Sequence, residues 1–144
     1  MPRVRIELPQ SFPFTTKIPV RITDINYGGH VGNDTILSII HEIRVQFLGF
    51  YGYEEMNIAG AGLIMSDVAI EFKGELYYGN TIEASAAISE ITRSGFEVVY
   101  KLEIEKDGKK SVIAHAKTTM ICYSYERKKI LSLPDEVKQK FEGR

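Results

Sequence analysis

The chain has a single cysteine, Cys122, in 144 residues, so no intrachain disulfide can form and a reducing compartment is expected. Cys122 lies in the apolar run Met120-Ile121-Cys122-Tyr123, where a buried small hydrophobe is the plain reading and a catalytic thiol the alternative. Positive charge is not in excess: eighteen Lys and Arg face nineteen Asp and Glu, for a net charge of -1. That excludes nucleic acid as a main ligand, because such binding runs on a surplus of cations. No eighteen apolar residues run together, and Met1 to Glu7 holds no long apolar stretch. A membrane span and a secretory leader are therefore not expected, and a cytoplasmic protein is. Internal repeats and low-complexity segments are absent. Three scattered histidines and one cysteine do not compose a zinc site, so no zinc is expected.

What is present is ordinary globular material, 44% apolar and 26% charged, of a length suited to one domain over residues 1–144. Thr15 to Ile22 alternates with β-branched residues and reads as a first strand, with Pro19 marking it as short or as an edge. Thr23 to Asp34 holds three glycines among polar residues, which is loop chemistry. Ile36, Ile39, Ile40, Ile43, Phe47, Phe50 and Tyr51 then recur at spacings of mostly three and four, predicting one helix over roughly Asp34 to Phe50. Asn33 or Asp34 can cap its start and Gly49 or Gly52 its end, and Tyr53 to Ile58 can add a further helical turn. Four strands follow, Leu63 to Phe72, Thr81 to Thr92, Phe96 to Glu105 and Lys110 to Tyr125, with Ser94-Gly95 and Asp107-Gly108 as hairpin signals. Pro134 with Asp135 and Glu136 opens a short final helix.

A helix apolar over so broad a face must be covered, and one curved sheet covers it by wrapping round it. The fold expected is therefore α+β, a five-stranded antiparallel sheet wrapped round one long central helix, the hotdog arrangement. The chemistry-bearing candidate is the glycine loop that feeds the helix. N–H groups at a helix start have no partner within the helix and carry partial positive charge, which suits a carbonyl oxygen becoming an oxyanion. Asp24, Asn26, His30, Asn33 and Asp34 crowd this region.

The run Arg21-Ile22-Thr23-Asp24-Ile25-Asn26-Tyr27-Gly28-Gly29-His30-Val31-Gly32-Asn33, with His41-Glu42-Ile43-Arg44 in the helix, resembles the signature of the 4-hydroxybenzoyl-CoA thioesterase-like hotdog proteins. Their pattern is Arg, two residues, Asp-Thr-Asp, two residues, Gly-His-Val-Asn-Asn, then Glu-Ala-Arg in the helix. The resemblance extends more weakly through Glu71-Phe72-Lys73, Tyr78-Gly79-Asn80, Thr92-Arg93-Ser94 and Leu133-Pro134-Asp135-Glu136. It implies hydrolysis of an acyl thioester of coenzyme A or acyl carrier protein, without a cofactor, in a site shared between subunits of a homodimer or homotetramer. The N–H at Asn33 would polarise the carbonyl, and Gly29 would let the chain approach the substrate.

One departure matters: where many relatives keep a catalytic carboxylate, this chain has Asn26, an amide that orients water but is no base near neutral pH. Asp24, Asp34 and Glu42 are the remaining carboxylates. Each has a structural alternative: a loop hydrogen bond for Asp24, capping for Asp34, an interior hydrogen bond for Glu42. His30 either fixes the loop or contacts substrate. Lys73, Arg93, Arg127, Lys128 and Lys129 are phosphate partners for coenzyme A or solvated surface charge. Two other functions compete. Asp24-x-Asn26 followed by His30 approaches the Asp-x-Asn-Pro-x-His signature of hotdog enoyl-CoA hydratases, but Tyr27 replaces the proline and His30 falls one residue late. An acyl-CoA-binding hotdog protein without turnover is the other.

Overall fold

The computed structural model describes residues 4–143; residues 1–3 and 144, the ends of the expected domain, lie outside them. Strand β1 (Phe14–Pro19) leads through a 3-10 turn (Ile22–Asp24) and the glycine loop into helix α1 (Asn33–Phe50). Strands β2 (Gly62–Phe72), β3 (Thr81–Ile91), β4 (Gly95–Lys106), β5 (Lys109–Ser124) and β6 (Lys129–Ile130) follow, then helix α2 (Asp135–Phe141). The sheet is antiparallel in the order β1-β3-β4-β5-β2, with β6 paired to β5. It wraps α1, so the hotdog arrangement holds, with six strands where the sequence predicts five. The sixth is two residues long, too short for any alternation to show.

The packing explains the wrapping. Ile36, Ile39, Ile40, Ile43, Phe47 and Leu48 are the buried face of α1. The sheet meets them with Ala84, Ala86, Ala114 and Ala116, whose small side chains let the helix come close, and with Phe96, Val98, Tyr100 and Leu102. Register shifts at Met65/Asp67, Ile88/Glu90 and Leu102/Glu103 supply the curvature that a flat sheet lacks. Phe47, Tyr51, Phe141 and Phe96 stack edge to face at 5.3, 4.9 and 4.8 Å between ring centroids, tying α2 to the far end of α1.

Three local expectations change. The first strand stops at Pro19, because residues 22–24 close a 3-10 turn. The N-cap of α1 is Gly32, with no side-chain capping bond, so Asn33 and Asp34 are the first helical residues and not caps. Tyr53 to Ile58 is a series of turns with isolated bridges and adds no helical turn. At the other end of α1, Gly52 (φ 87°) sits between two reversed hydrogen bonds, Gly52 N–H to Gly49 O and Tyr53 N–H to Leu48 O, both 2.9 Å, which close the helix in a Schellman motif. Among the described residues no helix is long and apolar enough to cross a membrane.

Candidate functional site

The loop before α1 is held at both ends by backbone. Val20 N–H donates to Asn80 O and Val31 N–H to Leu76 O, each at 2.9 Å, so the β2–β3 connection carries the loop. Asp24 is 6% exposed. Its Oδ2 accepts the Arg21 backbone N–H at 2.8 Å and its Oδ1 lies 3.4 Å from the Arg21 guanidinium. Both oxygens thus serve the turn that launches the loop.

Beyond Asp24 the chain doubles back: Asn26 N–H donates to His30 O at 3.0 Å, and Gly29 N–H to Asn26 O at 3.1 Å. Gly29 makes this reversal at φ 85°, a conformation that side chains resist. The Asn26 side chain accepts Gly28 N–H through Oδ1 at 2.8 Å. His30 Nδ1 stands 3.2 Å from Val31 O, and its Nε2 flanks Gly28.

Gly32 matters for a different reason. A methyl group on it would lie 2.7 Å from Asp34 Oδ1 and 3.2 Å from Asn26 Nδ2. The bare Cα therefore leaves a space into which the Asp34 carboxylate and the Asn26 amide both reach, beside the first N–H groups of α1. Asn26, Asn33 and Asp34 are all exposed there. The structure thus brings together Asn26, Gly29, His30, Asn33 and Asp34, and gives the group a donor, a carboxylate and unsatisfied backbone N–H groups.

The other candidates lie elsewhere. Glu42 is two turns along α1 from Asp34, roughly 12 Å at the helical rise. It borders a cavity of about 320 Å³ between α1 and β1 that also reaches Lys17, Arg21, Asp24 and Ser38. Gln46 Nε2 donates to Glu42 Oε2 at 2.8 Å, and Thr16 Oγ1 to Gln46 Oε1 at 2.6 Å. Lys73 pairs with Glu71 at 3.4 Å next to the start of β5, whereas Arg93 lies at the β3–β4 turn beside the end of β5. The strand from Ala114 to Ile121 separates them, roughly 23 Å of extended chain, so one chain does not join the two cations in a single phosphate site. Arg127 and Lys128 lie past the Arg93 end of β5, in the turn into β6, and Lys129 is the first residue of β6. Cys122 is fully buried and burial pushes its thiol up to about 11, consistent with a core residue.

One feature escapes the sequence. Arg44 sits among the buried residues of α1, 5% exposed. Its Nε donates to Glu55 Oε1 at 2.9 Å and its Nη1 to the Tyr100 hydroxyl at 3.4 Å. The other Glu55 oxygen lies 3.3 Å from His41 Nε2. A charge within an apolar stripe is the signal that such a partner must exist; which residue supplies it is not written there.

The sequence profile of the thioesterase-like superfamily matches residues 20–141. The chain belongs to this superfamily, and the matched stretch runs from just after β1 through the glycine loop, α1 and strands β2 to β6 to the end of α2. A thioesterase-superfamily protein from Jannaschia sp. CCS1 has a similar structure, with a TM-score of 0.81 and 15% identity over 92% of this chain and 83% of that one. A 4-hydroxybenzoyl-CoA thioesterase mutant in complex with 4-hydroxybenzoyl-CoA gives 0.80 and 14% over 89% and 97%. The 1,4-dihydroxy-2-naphthoyl-CoA thioesterase of Synechocystis gives 0.77 and 20% over 89% and 94%. No curated protein matches the sequence.

Proposed function

We propose that the protein is a cytoplasmic enzyme that hydrolyses an acyl thioester of coenzyme A or acyl carrier protein, with neither metal nor organic cofactor. The observation that carries this reading is the space over Gly32, which the Asp34 carboxylate and the Asn26 amide both border beside the unsatisfied N–H groups of the first turn of α1. A thioester carbonyl placed against the Asn33 N–H gains charge on its oxygen as water adds, and an N–H dipole aimed at that oxygen lowers the barrier. Asn26 holds the attacking water, Asp34 removes its proton, and collapse of the tetrahedral intermediate expels the thiolate. Glu42, on the cavity between α1 and β1, is the reserve base. Asp24 holds the loop in register, and Gly29 and His30 shape the wall facing the substrate. Lys73 and Arg93 bind phosphates of the cofactor-like leaving group only if each acts in a different subunit's site, because a single chain keeps them apart.

The family resemblance and an edge strand together support a homodimer or a dimer of dimers with the site shared between subunits. β2 ends the strand order, and Met65, Val68 and Phe72 on it are exposed, as are Leu37 and Val45 on α1. An apolar edge of this kind is a pairing surface. Light scattering at micromolar concentration should show no 16.3 kDa species.

The test of activity is a panel of acyl-CoA thioesters with a thiol-trapping dye. Hydrolysis releases thiol; hydration of an enoyl thioester does not, and a protein that only binds gives neither product. The last of these is the second reading, favoured by one observation: an amide stands at position 26, where the family pattern that this chain resembles has a carboxylate in many members.

A further inference from the structure

Asn33, Leu37 and His41 recur every fourth residue and share one face of α1. A cavity of about 160 Å³ opens on this face, walled by Leu37, Ser38, His41, Arg44 and, across from them, Met65. Leu37, toward the helix start, and Met65 are apolar. His41 and Arg44, further from the glycine loop, are polar.

That polar end is rigidly built. Arg44 is held by Glu55 at 2.9 Å and by the Tyr100 hydroxyl at 3.4 Å, and Tyr100 shares a 2.6 Å hydrogen bond with Thr118. Glu55 also stands 3.3 Å from His41 Nε2. Two consequences follow from this arrangement. The carboxylate neutralises the guanidinium, so the Arg44–Glu55 pair offers no surplus positive charge to an anion. In the neutral form of the imidazole the ring nitrogen facing the carboxylate carries the proton, which leaves His41 Nδ1 as an acceptor, while the guanidinium has five N–H donors of which Glu55 and Tyr100 take two. An acceptor next to spare donors matches a hydroxyl group, which gives one hydrogen and receives another. A methyl group does neither, and a ketone or carboxylate can only receive.

We propose that this cavity binds a hydroxyl group near the far end of the acyl chain, so that the preferred substrates are medium-length hydroxyacyl thioesters. The proposal rests on the thioesterase reading and names its substrate class. From Asn33, where the carbonyl is held, to His41 is roughly 12 Å along the helix. At the roughly 1.2 Å per bond of an extended chain this is about ten bonds.

The test compares decanoyl-CoA, its terminally hydroxylated counterpart and its terminally carboxylated counterpart with the full-length protein and with His41→Leu. His41 is exposed, and a thermal melt checks that the variant folds. The wild type should prefer the hydroxylated thioester by about tenfold in kcat/KM, the effect of one or two net hydrogen bonds, and His41→Leu should remove that preference. Hydrolysis of the plain and hydroxylated thioesters at equal kcat/KM, a preference that survives in His41→Leu, or a preference for the carboxylate overturns the proposal while leaving the thioesterase reading in place. Failure to hydrolyse any thioester overturns both.

Discussion

The missing side chain of Gly32 lets the Asp34 carboxylate turn back over the start of α1: a methyl there would stand 2.7 Å from Asp34 Oδ1. Gly32 has φ -75° and ψ 161°, open to any residue, so the position needs glycine for space and not for conformation. Gly32→Ala is therefore expected to keep the fold, because Asp34 is exposed and can swing away, and to lose at least about tenfold in kcat/KM, the order expected of a misplaced general base. Paired melting curves and thiol-release assays check both halves. Unimpaired turnover would show that Asp34 does not act from this place.

Asp34→Asn separates chemistry from helix stability. Asp34 makes no capping bond, so the stability at stake is its attraction to the helix dipole, about 0.3–1 kcal/mol. Loss of a general base lowers the rate by about a hundred- to ten-thousand-fold. A folded variant with near-normal turnover would eliminate Asp34 and move the assignment to Glu42, for which Glu42→Gln is the matching measurement.

Arg44→Met removes one partner of a mostly buried ion pair and leaves Glu55 without its cation. The expected loss is about 3 kcal/mol, the lower end for such pairs because Glu55 is partly exposed. The double variant with Glu55→Gln should recover part of it, since no uncompensated charge remains. Denaturant titration measures both; a loss under about 1 kcal/mol in the single variant would show the pair to be energetically idle.

His115 lies on the outer face of the sheet, 3.7 Å from Glu71. Burial chiefly, then the charges of Lys73 and, more weakly, Lys101, hold its pKa below the ordinary 6.5 against the pull of Glu71. The unfolded chain then binds the proton more readily than the native one. Stability falls as pH drops through 6.5 toward the native value and is regained above it. His115→Gln should flatten that part of the stability profile; a profile with the same slope would contradict the assignment.

The central helix and the strand pattern were legible because period and turn chemistry are local. Ile36 to Phe47 repeat at helical spacing, and Asp107 and Gly108 both take positive φ, 54° and 77°, as a tight hairpin requires. The glycine loop was legible as a site because glycines and polar groups cluster before an apolar helix. What escaped depends on space or on distant partners. Capping preference pointed to Asn33 or Asp34, whereas the N-cap is Gly32, whose value is the room it leaves. The charge of Arg44 was plain within its apolar stripe, but Glu55, beyond the end of the helix, carried no mark as its partner. Lys73 and Arg93 both read as phosphate partners or as solvated surface charge, and only strand direction puts them at opposite ends of β5.

The N–H of Asn33 can be deleted without disturbing its neighbours, and its removal asks directly whether the start of α1 holds the thioester carbonyl. Asn33 is the first helical residue, where proline is well tolerated, and Gly32 before it is already in the extended region that a following proline demands. Asn33→Pro should melt within a few degrees of the wild type and lose about a hundred- to a thousand-fold in kcat, the cost of removing one oxyanion donor. A folded Asn33→Pro protein that releases thiol from acyl-CoA at the wild-type rate would contradict the placement of the carbonyl at the start of α1.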